Sequence, residues 1–78
     1  MPRRATKKID PWLKLVGENL RRERKALGLT QEKLAELANL APRTVQKIEA
    51  GRITILITTV RRLRKVLGCS YDALLGDR

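Results

Sequence analysis

Two cationic side chains four residues apart are the part of this sequence best suited to bind another molecule. Arg43 and Lys47 follow Pro42 closely, and both offer nitrogen donors to phosphate oxygens or base edges. On a helix, residues four apart share one face, with Cβ atoms roughly 5–6 Å apart. This spacing suits neighbouring base pairs, and Arg43 could bind O6 and N7 of one guanine. The alternative interpretation is a solvated basic face.

The helix that would present these cations is predicted over residues 42–50. Proline is favoured at the first helical position, and Gly51 is suited to the left-handed conformation that ends a helix. Val45 and Ile48 should face inward. Ala41 stands at the N-cap position, where it offers no side-chain acceptor, and this could cost about 1 kcal/mol.

A second short helix is predicted immediately before it, over residues 31–38. Thr30 is a good N-cap residue, and Leu34 and Leu37 are expected to face inward. Asn39 follows, and asparagine tolerates a positive φ better than most residues. The sequence therefore predicts two short helices joined by a tight turn.

A longer helix is predicted over residues 11–27, with Asp10 as its N-cap and Gly28 after its end. Residues 1–10 hold little to bury and are predicted to form a flexible basic arm. The segment 53–60 has the propensity of a strand, because it is rich in β-branched residues. Apolar residues recur at helical spacing through the first helix: Trp12, Leu13, Val16, Leu20 and Leu27.

Composition limits the classes of function. The chain has 78 residues, a net charge of +10 and no histidine. One small domain is expected, with a polyanionic partner that is either nucleic acid or an anionic membrane surface. A single cysteine, Cys69, excludes an intramolecular disulfide and is expected to be a buried inert thiol. We expect no metal, no cofactor and no catalysis, and the lack of a long apolar run indicates a cytoplasmic protein.

The segment 29–51, with the sequence LTQEKLAELANLAPRTVQKIEAG, resembles the helix-turn-helix of Cro/C1-type, XRE-like transcriptional regulators. The likeness extends over about residues 17–76. It implies an all-α, five-helix, phage-repressor-like DNA-binding domain over residues 11–78, with helices 2 and 3 forming the helix-turn-helix. It also implies a loop followed by a fourth helix, in place of the strand, and a short fifth helix capped by Ser70.

The resemblance assigns roles to individual residues. Positions that meet base edges in the family are occupied by Pro42, Arg43, Thr44 and Lys47. Positions that meet phosphates are occupied by Thr30, Gln31, Gln46 and Arg52. The basic arm offers possible further contacts from Arg3, Arg4, Lys7 and Lys8. Family positions that form a buried structural ion pair are occupied by Arg24 and Glu49.

The function that the resemblance implies is sequence-specific binding of double-stranded DNA, with repression of transcription as the expected outcome. Apolar residues in the segment 53–57, with Tyr71 and Leu75, exceed the needs of a small core and predict a homodimer formed through helices 4 and 5. An antitoxin or protein-interaction module of the same fold remains open, as does a non-specific nucleoid-type binder. A small nuclease has almost no residue support.

Overall fold

The computed structural model describes residues 10–76 as five α-helices, with no strand in this range. In chain order they are α1 (Pro11–Ala26), α2 (Gln31–Ala38), α3 (Pro42–Glu49), α4 (Ile57–Leu67) and α5 (Tyr71–Leu75). The all-α, five-helix prediction is confirmed, and α2 and α3 form the helix-turn-helix. Within this range, no helix combines the length and the apolar character needed to cross a membrane.

Side-chain caps start three of the helices where the sequence predicts them. Asp10 Oδ1 accepts a hydrogen bond from the Trp12 amide at 2.8 Å. Thr30 Oγ1 accepts one from the Lys33 amide at 2.9 Å. Ser70 caps α5 in the same manner. Each of these bonds satisfies a backbone donor that would otherwise lack a partner in the first turn.

The turn between α2 and α3 depends on Asn39. This residue has φ 59° and ψ 49°, in the left-handed region that the sequence predicts for it. The Leu40 amide then donates to the Ala35 carbonyl at 2.8 Å, which closes the end of α2 and redirects the chain. α3 begins at Pro42 after Ala41, which makes no side-chain cap bond.

The core lies where the five helices meet. Its side chains with the lowest exposure include Leu20 of α1, Leu34 of α2, and Val45 and Ile48 of α3. From the C-terminal part, Leu63 and Leu74 are 2% exposed each. Burial of this apolar surface is the main stabilising contribution to so small a domain.

Leu37, which is expected to face inward, is instead largely exposed, and so are two residues of the apolar pattern of α1. Leu37 is 51% exposed, Leu27 is 53% exposed and Trp12 is 54% exposed. The buried face of α2 consists of Leu34, Ala35 and Ala38, and Leu37 lies outside this face. Leu27 is the C-cap of α1 and therefore lies beyond the stripe of that helix.

The segment predicted as a strand by propensity alone is a loop followed by α4, as the resemblance implies. Ile53 and Ile55 are half-buried and pack against the core. Leu56 and Ile57 are 68% and 71% exposed, on the side where α4 begins. Ile53 and Ile55 therefore pack the loop against the core, whereas Ile57 at the start of α4 is exposed, and within residues 10–76 no strand is present to pair with this segment.

Candidate nucleic-acid interface

The outward face of α3 is open to solvent. Pro42, Arg43 and Lys47 are exposed, and Thr44 is half-buried. Val45 and Ile48 of α3 are buried in the core, so the side chains on the other face of this helix point outward. The structure thus leaves Arg43 and Lys47, one helical turn apart, available to a partner.

A buried ion pair fixes the C-terminal end of α3 to α1. Arg24 Nε lies 2.6 Å from Glu49 Oε2, and Arg24 Nη2 lies 3.1 Å from Glu49 Oε1. The two side chains are 9% and 4% exposed. Hydrogen bonding to Glu49 raises the pKa of the Arg24 guanidinium. The ion pair that the family resemblance implies is present in the structure.

Gln31 joins this network from the first turn of α2. Its Nε2 donates to Glu49 Oε1 at 3.0 Å, and Arg24 Nη1 donates to the Leu29 carbonyl at 2.7 Å. The side chain of Gln31 is therefore oriented by a residue of α3. A glutamine held in this way keeps its second amide hydrogen and its carbonyl oxygen for another partner.

Two other residues expected to contact phosphates stand at helix ends. The Thr30 hydroxyl accepts the N-cap bond from Lys33, which leaves its own hydrogen to donate. Arg52 is exposed just after α3, and its amide donates to the Lys47 carbonyl at 2.9 Å. Gln46 is exposed on α3. Arg3, Arg4, Lys7 and Lys8 lie outside the described residues.

Gly17 is a positioning residue that the sequence interpretation missed. It is buried where α1 crosses α3, and a Cβ atom there would overlap the carbonyl oxygens of Ile48 and Glu49. Only glycine therefore permits this helix crossing without a backbone shift. A glycine inside an amphipathic helix pattern is the sequence signal that indicates such a close approach.

Asn19 and Arg22 are also missed by the sequence interpretation. Asn19 is 1% exposed and donates to carbonyls at the end of α5, and Arg22 donates to the Ala73 carbonyl. Trp12 Nε1 donates to the Leu75 carbonyl at 3.2 Å, so this half-exposed tryptophan anchors α1 to α5. The signal in the sequence is a polar residue, Asn19, on the apolar face of α1.

Cys69 is half-buried, and burial raises the pKa of its thiol. A raised pKa keeps the thiol protonated and poorly nucleophilic at neutral pH. Arg64 also lies close by, donating to the Cys69 carbonyl at 3.3 Å, with its guanidinium carbon 4.6 Å from the centre of the Tyr71 ring. Within residues 10–76, no group of three or more His, Cys, Asp or Glu residues could hold a metal ion.

Comparisons with known proteins agree with this arrangement. The helix-turn-helix family HTH_3 matches residues 20–74. The chain is 38% identical over 64 residues to an uncharacterised HTH-type transcriptional regulator, y4mF, of Sinorhizobium fredii, which covers 81% of this chain and 84% of the relative.

Solved structures show the same likeness. The restriction-modification controller protein C.AhdI from Aeromonas hydrophila is 32% identical, with a TM-score of 0.77 over 80% of this chain and 94% of that protein. The clp gene regulator ClgR from Corynebacterium glutamicum is 26% identical, with a TM-score of 0.79 over 88% of this chain and 74% of that protein.

Proposed function

The chain belongs to the HTH_3 helix-turn-helix family of transcriptional regulators, and we propose that it recognises a specific sequence in double-stranded DNA through α3. In this proposal the protein is a repressor that occupies a pseudo-palindromic operator as a dimer. Occupancy of a promoter blocks polymerase without any covalent chemistry, so the proposal needs neither a catalytic residue nor a cofactor. Binding to the genome also implies a location in the cytoplasm of a bacterial or phage-infected cell.

The observation that carries the proposal is the exposed face of α3. Arg43 and Lys47 project from it, and Pro42 stands at its start. In the major groove, Arg43 is suited to a guanine, and Lys47 to an acceptor on a neighbouring base pair. Thr44 is half-buried and suits an apolar contact with a thymine methyl group.

Phosphate contacts would hold this face against the bases. Gln31 and Thr30 stand at the start of α2, and Gln46 and Arg52 lie along and after α3. Such contacts fix the orientation of the protein on the duplex and carry no direct sequence information. The hydrogen bond from Gln31 to Glu49 supports this role, since it links the phosphate-contacting end of α2 to the recognition helix.

The dimer in this proposal forms through the start of α4 and through α5. Leu56, Ile57 and Tyr71 are 68%, 71% and 43% exposed, and Leu75 is half-buried beside them. Residues of this type are enriched at subunit contacts. A two-fold axis through this surface would place two copies of α3 about 34 Å apart, one turn of DNA.

Residues 1–10 form a separate basic arm in this proposal, and residues 11–78 form the helix-turn-helix domain. Arg3, Arg4, Lys7 and Lys8 would add contacts to phosphates or to a minor groove. Removing the first nine residues should lower the affinity for all duplexes by the same factor, because such contacts are mainly electrostatic and independent of base sequence.

Selection of bound sites from a random duplex pool tests the proposal. The expected result is one motif with two half-sites related by two-fold symmetry and spaced by about one helical turn. Recovery of unenriched sequences would contradict sequence-specific recognition and favour a non-specific DNA binder. Recovery of a single half-site would support base recognition by α3 and contradict the dimer.

A further inference from the structure

Asn19 connects α1 to the end of α5 through its side-chain nitrogen, and its oxygen is held by Arg22 of the same helix. Its Nδ2 donates to the Leu74 carbonyl at 2.8 Å and to the Gly76 carbonyl at 3.1 Å. Its Oδ1 accepts from Arg22 Nη1 at 2.9 Å. Asn19 is 1% exposed, and the three hydrogen bonds together define the orientation of its side-chain amide.

The neighbouring carbonyls of α5 are held by the same helix. Arg22 Nη2 donates to the Ala73 carbonyl at 2.9 Å, and Trp12 Nε1 donates to the Leu75 carbonyl at 3.2 Å. Each carbonyl from residue 73 to residue 76 therefore accepts a hydrogen bond from an α1 side chain. α5 has five residues, too few to be stable alone, so its orientation depends on this attachment and on the burial of Leu74.

α1 is also packed directly against the recognition helix. Gly17 allows its backbone to lie directly against the carbonyls of Ile48 and Glu49, and Arg24 is paired with Glu49 in the same crossing. One helix, α1, thus connects the surface of α5 to the base-reading surface of α3. A change in the orientation of α5 relative to α1 would therefore change the orientation of α3 relative to any partner bound at α5.

We propose that Asn19, assisted by Arg22, is a positioning residue that sets the separation between the two recognition helices of the dimer. This inference rests on the proposed dimer through α4 and α5. Asn19 contacts neither DNA nor the second subunit in this account. It acts by fixing α5, and so determines which half-site spacing the dimer accepts.

Distance measurement between protomers tests this role. A nitroxide label is attached at Glu36→Cys, an exposed α2 position, in a Cys69→Ser background, and the inter-protomer distance distribution is recorded by pulsed electron paramagnetic resonance. The labelled protein in which Asn19 is unchanged should give a single narrow distribution of inter-protomer distances. Asn19→Ala should broaden it at least about twofold, at concentrations where sedimentation shows that the dimer persists.

Arg22→Ala provides a second variant, because the Arg22 side chain is 41% exposed and its removal leaves the core intact. Arg22→Ala should also broaden the inter-protomer distance distribution. Leu34→Val is the control for a purely structural effect, since it removes buried volume in α2, which packs against α3 and α4. It should lower the unfolding midpoint and leave the distance distribution unchanged.

Binding to duplexes with fixed half-sites and varied spacers gives an independent readout. Asn19→Ala should reduce the preference for the best spacer at least about fivefold, whereas Leu34→Val should retain it. Unchanged distances and spacer preference in both Asn19→Ala and Arg22→Ala would overturn this inference while the dimer stands. No inter-protomer distance in the parent protein, either free or on DNA, would overturn the proposed dimer and this inference with it.

Discussion

Arg24 of α1 binds both carboxylate oxygens of Glu49 at the end of α3, at 2.6 and 3.1 Å. The same carboxylate accepts a hydrogen bond from Gln31 of α2. One acidic side chain thus joins three helices behind the recognition surface. The outward face of α3 is positioned by contacts that lie on its opposite side.

Removing one partner of this pair should strongly destabilise the fold. Glu49→Gln leaves the Arg24 guanidinium buried without a counter-charge, which typically costs about 3–5 kcal/mol. The free energy of unfolding, measured in urea, should fall by that amount. The double variant Arg24→Met, Glu49→Leu leaves neither charge unpaired. Its loss of unfolding free energy should be smaller than the sum of the losses in the single variants Arg24→Met and Glu49→Leu.

The exposed pair of Lys33 and Glu36 is the matched control. Their charged atoms are 3.5 Å apart, and the side chains are 53% and 71% exposed. Glu36→Gln should therefore change stability by no more than about 1 kcal/mol. An equal loss in Glu36→Gln and Glu49→Gln would contradict the structural role given to the buried pair.

A serine at position 41 should stabilise the protein. Ala41 has the extended conformation of an N-cap residue, with φ −73° and ψ 143°, and it supplies no acceptor. Ala41→Ser should raise the free energy of unfolding by about 0.5–1 kcal/mol. Thr30→Ala removes an existing cap bond and should have the opposite effect of similar size, as measured by the same urea titration. A loss of stability in Ala41→Ser would contradict the cap geometry.

The charged and neutral phosphate contacts should differ in their salt dependence. Arg52→Ala should weaken binding to all duplexes alike and reduce the slope of log affinity against log salt by about 1, since one fewer counterion is released. Gln31→Ala should also weaken binding, but with an unchanged slope, because glutamine is neutral. Titrations at several salt concentrations measure both. A loss confined to one base sequence in either variant would contradict the assignment to phosphates.

A charge placed at the start of α4 should separate the dimer. Ile57 is 71% exposed in the single chain, so Ile57→Glu should leave the unfolding midpoint nearly unchanged at protein concentrations where the parent protein is also monomeric. It should weaken dimerisation by at least about tenfold, which corresponds to about 1.4 kcal/mol, in sedimentation equilibrium. Leu37→Glu alters an exposed leucine on α2 and should leave the dimer intact. Equal effects of the two substitutions would place the contact elsewhere.

Much of this fold can be predicted from local signals. Helix ends are marked by caps and turn residues, such as Thr30 before α2 and Asn39 after it, because those residues satisfy backbone requirements that do not depend on distant parts of the chain. The ion pair of Arg24 and Glu49 could be predicted only from the family resemblance. These two residues are 25 positions apart, so no local sequence pattern indicates that they pair.

Other features depend on tertiary packing and could not be predicted from periodicity. Leu34 and Leu37 have the same spacing signal, yet only Leu34 is buried, because the packed face of α2 includes Ala35 and Ala38 and excludes Leu37. The partners of Asn19 lie 55 and 57 residues away. A buried asparagine in an apolar stripe indicates a required partner without identifying it.

The most direct measurement is the sequence selectivity of Arg43→Ala. Affinities of the parent protein and the variant are measured for the selected operator, for operators changed at one base pair, and for a scrambled duplex. Lys25→Ala, which removes the same charge from α1, is the control. The exposed α3 face should read bases, so Arg43→Ala should lose about 1–3 kcal/mol of discrimination at one base pair of each half-site, while Lys25→Ala keeps it. Unchanged discrimination at every base pair in Arg43→Ala would contradict this account.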